Sequence, residues 1–261
     1  MTTYTIHTVN AFTDSEIGGN PASVICLETM PAENTLLEIA GKQASPVTAF
    51  VMPNQDDNAY GIRWFSQQKE INLCGHGTLA AASVIFSINH DIDELNFTSP
   101  FGDVKVKMEG SGLSMVFPIW KRHAIGLKRL QYGLFHSKVV DHYVTRDLIL
   151  VLENEQDVVQ FKPNKQQIIQ SGYHAVIVTA RGERSDYVLR FFAPSIGIDE
   201  DAATGSAQCS LAQYWSQKLN KSDLIVEQLS SRKGSFQIKV MEDTISIKTS
   251  TKILQAENFT F

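Results

Sequence analysis

Cysteine is scarce in this 261-residue chain, which carries only Cys26, Cys74 and Cys209. An odd number, widely spaced, builds neither a disulfide framework nor a zinc-ligand pattern, and such sparse use fits a reducing cytosol. Positive charge is short as well. With 23 Lys and Arg against 28 Asp and Glu the formal net charge is −5, so no basic field exists to draw in nucleic acid or an anionic membrane. The small clusters Lys121-Arg122 and Lys128-Arg129 read as a solvated face. Long apolar runs are missing too: the longest stretch of low polarity, residues 79–88, contains Ser83 and Ser87 and is too short to span a bilayer. The opening Met1-Thr2-Thr3-Tyr4 lacks the basic and apolar regions of a signal peptide. There is no P-loop and no three-glycine dinucleotide fingerprint, which disfavours nucleotide cofactors. The expectation is a soluble, cytoplasmic protein with no nucleic-acid partner and no membrane partner.

What is present is a repeat. One copy reads Thr48-Ala-Phe-Val-Met-Pro, turns at residues 54–58, continues Tyr60-Gly-Ile-Arg-Trp-Phe-Ser and ends in Leu73-Cys-Gly-His-Gly-Thr-Leu-Ala. A second reads His174-Ala-Val-Ile-Val-Thr, turns at residues 181–185, continues Tyr187-Val-Leu-Arg-Phe-Phe-Ala-Pro and ends in Ala203-Thr-Gly-Ser-Ala-Gln-Cys-Ser-Leu. Each is a strand, a polar turn, a strand, a loop and a glycine that opens a helix. Arg63 matches Arg190, Phe65 matches Phe192 and Gly75 matches Gly205.

The helix after Gly75 is small or apolar at nearly every position, and the one from Ala207 has only Ser and Gln as polar relief. A helix apolar all round is buried on all sides, so both are expected at the centre of curved sheet. Alternating strands at Thr5-Ile-His-Thr-Val, Ser23-Val-Ile-Cys-Leu, residues 102–108, 236–240 and 244–248 supply the wall. A further helix is expected from Asn34, as N-cap, through Gln43. The first domain takes residues 1–117, to which the last strand, 252–261, could return; the second takes 118–251.

Gly75-His76-Gly77 and Thr204-Gly205-Ser206 each place glycine at a helix start, where free amides bind carboxylate or phosphate readily. In a duplicated fold the two starts can meet in one polar pocket for a small carboxylate-bearing substrate. The side chains on offer are acid–base groups: His76, expected to titrate near neutrality, Glu200 and Asp201 just before the second helix, and Ser206 on its first turn. Cys74 reads as a buried filler, with a reactive thiolate as the alternative. Cys26 and Cys209 read as core. Nothing in the pattern suggests a metal site.

These residues resemble the PhzF-like (phenazine biosynthesis-like) family, related in fold to diaminopimelate epimerase and proline racemase. The resemblance runs through Val9-Asn-Ala-Phe-Thr, Gly19-Asn-Pro-Ala-Ser-Val, Arg63-Trp-Phe-Ser with Leu73-Cys-Gly-His-Gly, and Arg190-Phe-Phe-Ala-Pro with Glu200-Asp-Ala-Ala-Thr-Gly-Ser-Ala. It implies an α/β (α+β) fold of two pseudo-symmetric barrel-like domains, each wrapped around a central helix, and a homodimer. It also implies cofactor-independent isomerisation of a dihydro-hydroxyanthranilate-type substrate by proton transfer. On that resemblance Asp201, His76 and Ser206 are catalytic. Gly75, Gly77, Thr204, Gly205, Asn20 and Cys74 bind substrate.

One departure stands out. Where the family has Ser-Glu-Thr-Ala-Phe-Val, with the glutamate as base and acid, this chain reads Ser45-Pro46-Val47-Thr48-Ala49-Phe50-Val51. Valine cannot carry a proton, and a positioned acid–base group supplies about 100- to 10,000-fold in rate. Three readings stay open: another reaction run by Asp201 and His76, binding without turnover, or a carboxylate such as Glu70 standing in. A two-cysteine racemase is disfavoured, since Cys74 matches the first racemase cysteine but Thr204 stands at the second.

Overall fold

The computed structural model describes residues 3–55, 58–125 and 138–260. Lys128-Arg129 lie outside the described residues. The chain divides into two compact units, Met1–Val116 with Lys248–Phe261, and Phe117–Ile247.

In the first unit β1 (Thr3–Ala11) and β2 (Asn20–Cys26) form an antiparallel pair. Helix α1 (Glu33–Gly41) carries the chain over to β3 (Val47–Pro53), which runs parallel to β2. Next come β4 (Ala59–Ser66), the short β5 (Glu70–Ile71) and α2 (Gly75–Ile88). The strands β6 (Glu94–Ser99), β7 (Gly102–Glu109) and β8 (Gly112–Pro118) follow, with β4 parallel to β6.

The second unit repeats this order. Strands β9 (Val139–Val144) and β10 (Leu148–Leu152) pair antiparallel, and α3 (Glu155–Gln160) and α4 (Lys165–Ser171) cross to a parallel β11 (Val176–Arg181). Then come β12 (Tyr187–Phe192), α5 (Gln208–Leu219), β13 (Asp223–Gln228), β14 (Gly234–Val240) and β15 (Thr244–Thr249). The last strand, β16 (Thr251–Thr260), pairs with β1. The strand orders are therefore β16-β1-β2-β3-β4-β6-β7-β8 in one unit and β15-β14-β13-β12-β11-β10-β9 in the other.

Parallel neighbours need a crossover, and each unit makes two. One crossover helix covers the outer face of the sheet: Leu36, Ile39 and Ala40 of α1 pack on Ile6, Ile25, Phe50 and Phe65. Val158 and Ile168 do the same on Leu150, Val176 and Phe192. The other crossover helix is central. Helix α2 packs against β1, β2, β3, β7 and β16, and residues 77–82 and 84–86 are buried. Helix α5 packs on β13 and β14 and is bonded to β9, β11 and β12 through Tyr143, Thr179 and Tyr187. Strands covered on both faces lose their polar alternation, as in β10, where all five residues are buried. This is the α/β (α+β) class, with sheet wrapped around a central helix in each unit. Among the described residues no helix is long and apolar enough to cross a membrane.

Four local expectations need correction. Cys26, read as core, is exposed at the end of β2, whereas Cys209 is buried as expected. Asn34 is not the N-cap of α1; the helix opens at Glu33, and the carbonyl of the extended Ala32 takes the Thr35 and Leu36 amides. The repeat is offset by two residues in its first strand. Thr48 pairs with Phe65 and Val176 with Phe192, so Val176, not His174, matches Thr48. Finally, α5 starts at Gln208 and not at Gly205, because a tight turn comes first, with the Gln208 amide on Gly205 O and the Cys209 amide on Ser206 O.

Candidate active site

In the first unit, Cys74 caps α2 in an extended conformation and no side chain closes the helix. Its carbonyl accepts from both the amide and the hydroxyl of Thr78, at 2.9 and 2.8 Å. The amides before Thr78 are left without intrahelical acceptors. Glycine at 77 is forced by packing: a Cβ there would lie 2.9 Å from Trp64 Cδ1, 3.2 Å from Cys74 Sγ and 3.5 Å from Val47 Cγ1. Val47 and Cys74 are therefore at the mouth of this helix, both buried. Trp64 Nε1 is buried there with no hydrogen-bond partner among the described residues.

His76 lies with Nδ1 3.4 Å from Cys74 Sγ. Burial pushes its pKa down to about 4, because removing water penalises the imidazolium. The expectation of titration near neutrality is corrected: at pH 7 this ring is neutral. Asn20 is buried at the start of β2, opposite Ala11. It follows a turn that only glycine can close, since Gly19 has φ +66° and a Cβ there would strike Ala11 O at 2.2 Å.

Glu70, the carboxylate named as a stand-in for the family's glutamate, is paired with Arg63. Both its oxygens are held by Arg63, from Nε and Nη2 at 2.6 Å each.

In the second unit, the loop 200–206 is fastened from several directions. Glu200 is gripped by Arg190 through Nε and Nη2, at 2.7 and 2.9 Å. The Asp201 amide donates to Phe191 O, and its Oδ2 accepts from the Thr204 hydroxyl at 2.6 Å. Buried Gln228 binds the carbonyl of Asp201, the amide of Thr204 and the Thr204 hydroxyl. Ser230 donates to Ala202 O at 2.5 Å. Asp201, Thr204, Gly205 and Ser206 thus share one fixed loop, and the first unit gathers Val47, Cys74, Gly75, His76 and Gly77.

Sequence reasoning missed what holds Ser206. Arg146, in the turn between β9 and β10, donates from Nη2 to Ser206 Oγ at 3.3 Å. The same guanidinium pairs with Asp147 through Nε and Nη2 and lies 4.4 Å from the centre of the Trp120 ring. Asp147 is fully buried and also accepts from His174 Nδ1 at 2.8 Å. A charged pair in a tight turn between apolar strands was the one available signal. Among the described residues no group of three or more His, Cys, Asp or Glu side chains could hold a metal ion.

A family model described as phenazine biosynthesis-like protein, PhzC-PhzF, matches residues 9–254. The chain belongs to the PhzF family. An uncharacterized isomerase of Vibrio cholerae is 38% identical over 236 residues, covering 90% of this chain and 83% of that protein. The crystal structure of a PhzF-family phenazine biosynthesis protein from Enterococcus faecalis superimposes with a TM-score of 0.93 at 32% identity, covering 100% of both chains. A hydroxyproline epimerase from Agrobacterium vitis shares the fold, with a TM-score of 0.65 at 9% identity, over 98% of this chain and 92% of its own. Two proteins of Pseudomonas aeruginosa, 38% and 36% identical over 92% and 93% of this chain and of their own lengths, are likewise named uncharacterized isomerases.

Proposed function

We propose that this PhzF-family chain is a cofactor-independent isomerase that moves a proton on a small carboxylate-bearing metabolite. The carrying observation is the loop 200–206, which keeps the Asp201 carboxylate and the Ser206 hydroxyl on one rigid segment through Arg190, Gln228 and Arg146. Rigid placement is what proton transfer needs. A substrate C–H bond breaks, the proton goes to Asp201, and the electron pair moves into the conjugated system. Return of the proton to another carbon completes the shift. Ser206 and the amide of Gly205, on the same loop as Asp201 and Thr204, stabilise developing charge. In the first unit, His76, Gly75, Gly77, Asn20 and Cys74 are the residues for which the family resemblance implies a catalytic or binding role, and the active species is a homodimer. The matching strand orders of the two units favour an origin by internal duplication.

The test is incorporation of solvent deuterium into a panel of amino acids and cyclic dienoic acids. Uptake by the natural chain that disappears in Asp201→Ala supports the reading; uptake unchanged in that variant overturns it.

One observation favours a second reading, a binding protein without turnover. Val47 lies at the helix mouth, and the family resemblance makes it the counterpart of the family's glutamate, where a valine carries no proton. Activity on the family-type substrate that appears only in Val47→Glu favours silence of the natural chain.

A further inference from the structure

The geometry points to Arg146 as the residue that recognises the substrate's carboxylate, an assignment that rests on the small-carboxylate reading above. The Nε/Nη2 edge of its guanidinium is committed to Asp147, at 3.1 and 2.9 Å. Asp147 is fully buried and is held in turn by His174, so the inner edge is fixed. Stacking 4.4 Å over Trp120 fixes the plane. The turn itself is anchored, with Thr145 Oγ1 2.7 Å from Ser210 Oγ on the first turn of α5.

What remains is the outer edge. Arg146 is 38% exposed, and among the described residues Nη1 has no hydrogen-bond partner. Nη2 donates to Ser206 Oγ at 3.3 Å. A hydroxyl that accepts from Arg146 keeps its own hydrogen for donation, so Ser206 O–H and Arg146 Nη1–H can both donate to one carboxylate. The rigid, planar guanidinium fixes the direction of that Nη1–H, which a flexible lysine ammonium cannot reproduce. A buried aspartate that only closed a turn would not need its arginine to lie open beside the Asp201–Ser206 loop.

The test is calorimetric titration with 3-hydroxyanthranilate and its uncharged counterpart 3-hydroxyanthranilamide. The natural chain should prefer the carboxylate, and Arg146→Gln should lower that preference about 10- to 100-fold, the usual range for a charge-assisted hydrogen bond. A purely structural role would weaken both ligands equally and leave the ratio unchanged, which overturns the assignment. Because Arg146→Gln strips a partner from buried Asp147, the double variant Arg146→Gln/Asp147→Asn is measured alongside; the ratio should collapse there too. If Ser206→Ala weakens the acid but the arginine variants keep the natural ratio, the assignment falls and the isomerase reading stands. If the natural chain binds neither ligand, the small-carboxylate reading falls and takes the assignment with it.

Discussion

Arg190 holds Glu200 through Nε and Nη2, the same two nitrogens with which Arg63 holds Glu70 in the other unit. Each clamp sits on the second strand of the repeat and fastens the segment that leads into a central helix. The Arg190–Glu200 pair is mostly shielded, with the side chains 14% and 26% exposed. Arg190 Nη1 also donates to the carbonyls of Val158, Val159 and Phe161. Breaking it with Arg190→Met should cost about 3–5 kcal/mol, as removal of one partner from a buried pair does. Glu200→Gln, which keeps the shape, should cost less. Urea unfolding measures both.

Gln228 is the second pin of the same loop. Replacement by Leu leaves the Asp201 carbonyl and the Thr204 amide without their partner in a buried place, at about 1–3 kcal/mol for each such group. Gln228→Leu should therefore lower the urea midpoint, and isomerase turnover should fall with it as Asp201 loses its fixed position. Unchanged stability and turnover would show the loop to be held by its other anchors, Arg190, Arg146 and Ser230 among them.

Much of this frame was legible in the chain. Strands β7, β14 and β15 alternate cleanly, with Val104, Val106, Phe236, Ile238, Ile245 and Ile247 inward, and period two marks a half-buried strand. The small and apolar residues at 79–82 and 84–86 announced the burial of α2, whose last residue, Ile88, is exposed. Strand β10 was not found, because Leu148-Ile-Leu-Val-Leu is buried on both faces and carries no period at all. Strand β16 is largely exposed and is held by its pairing with β1 and by contact with α2, in the domain to which the last strand was expected to return. Arg146 and Ser206 are 60 residues apart, and nothing local to either announces the other. The late start of α5 has the same origin: residues 201–206 spend their hydrogen bonds on Gln228 and Ser230 before the helix can begin.

His76 gives a pH signature. Its folded pKa of about 4 lies below the usual 6.5, so between those values the unfolded chain binds the extra proton. Stability contributed by the neutral ring is complete above pH 6.5 and is lost as pH falls towards 4, by about 3 kcal/mol at most. His76→Asn should flatten that part of the urea-midpoint profile. Proton NMR of the natural chain should show the His76 ring still neutral at pH 5.5.

Restoring the absent carboxylate is the sharpest substitution. Val47 is buried beside Cys74, Gly77 and Trp64, so Val47→Glu places an acid where desolvation favours its neutral form. Trp64 Nε1 supplies a donor that has no other partner among the described residues. We expect a stability cost of about 1–3 kcal/mol and a gain of about 100-fold or more in turnover of a dihydro-hydroxyanthranilate. Loss of stability without any gain would mean that the valine was not the obstacle.

The claim on which all of this turns is that Asp201 exchanges a substrate proton. Mass spectrometry of a dihydro-hydroxyanthranilate incubated with the natural chain in deuterium oxide tests it most directly. The account requires one deuterium to enter at carbon, at a rate that drops at least about 100-fold in Asp201→Asn. Equal incorporation by both proteins would contradict it.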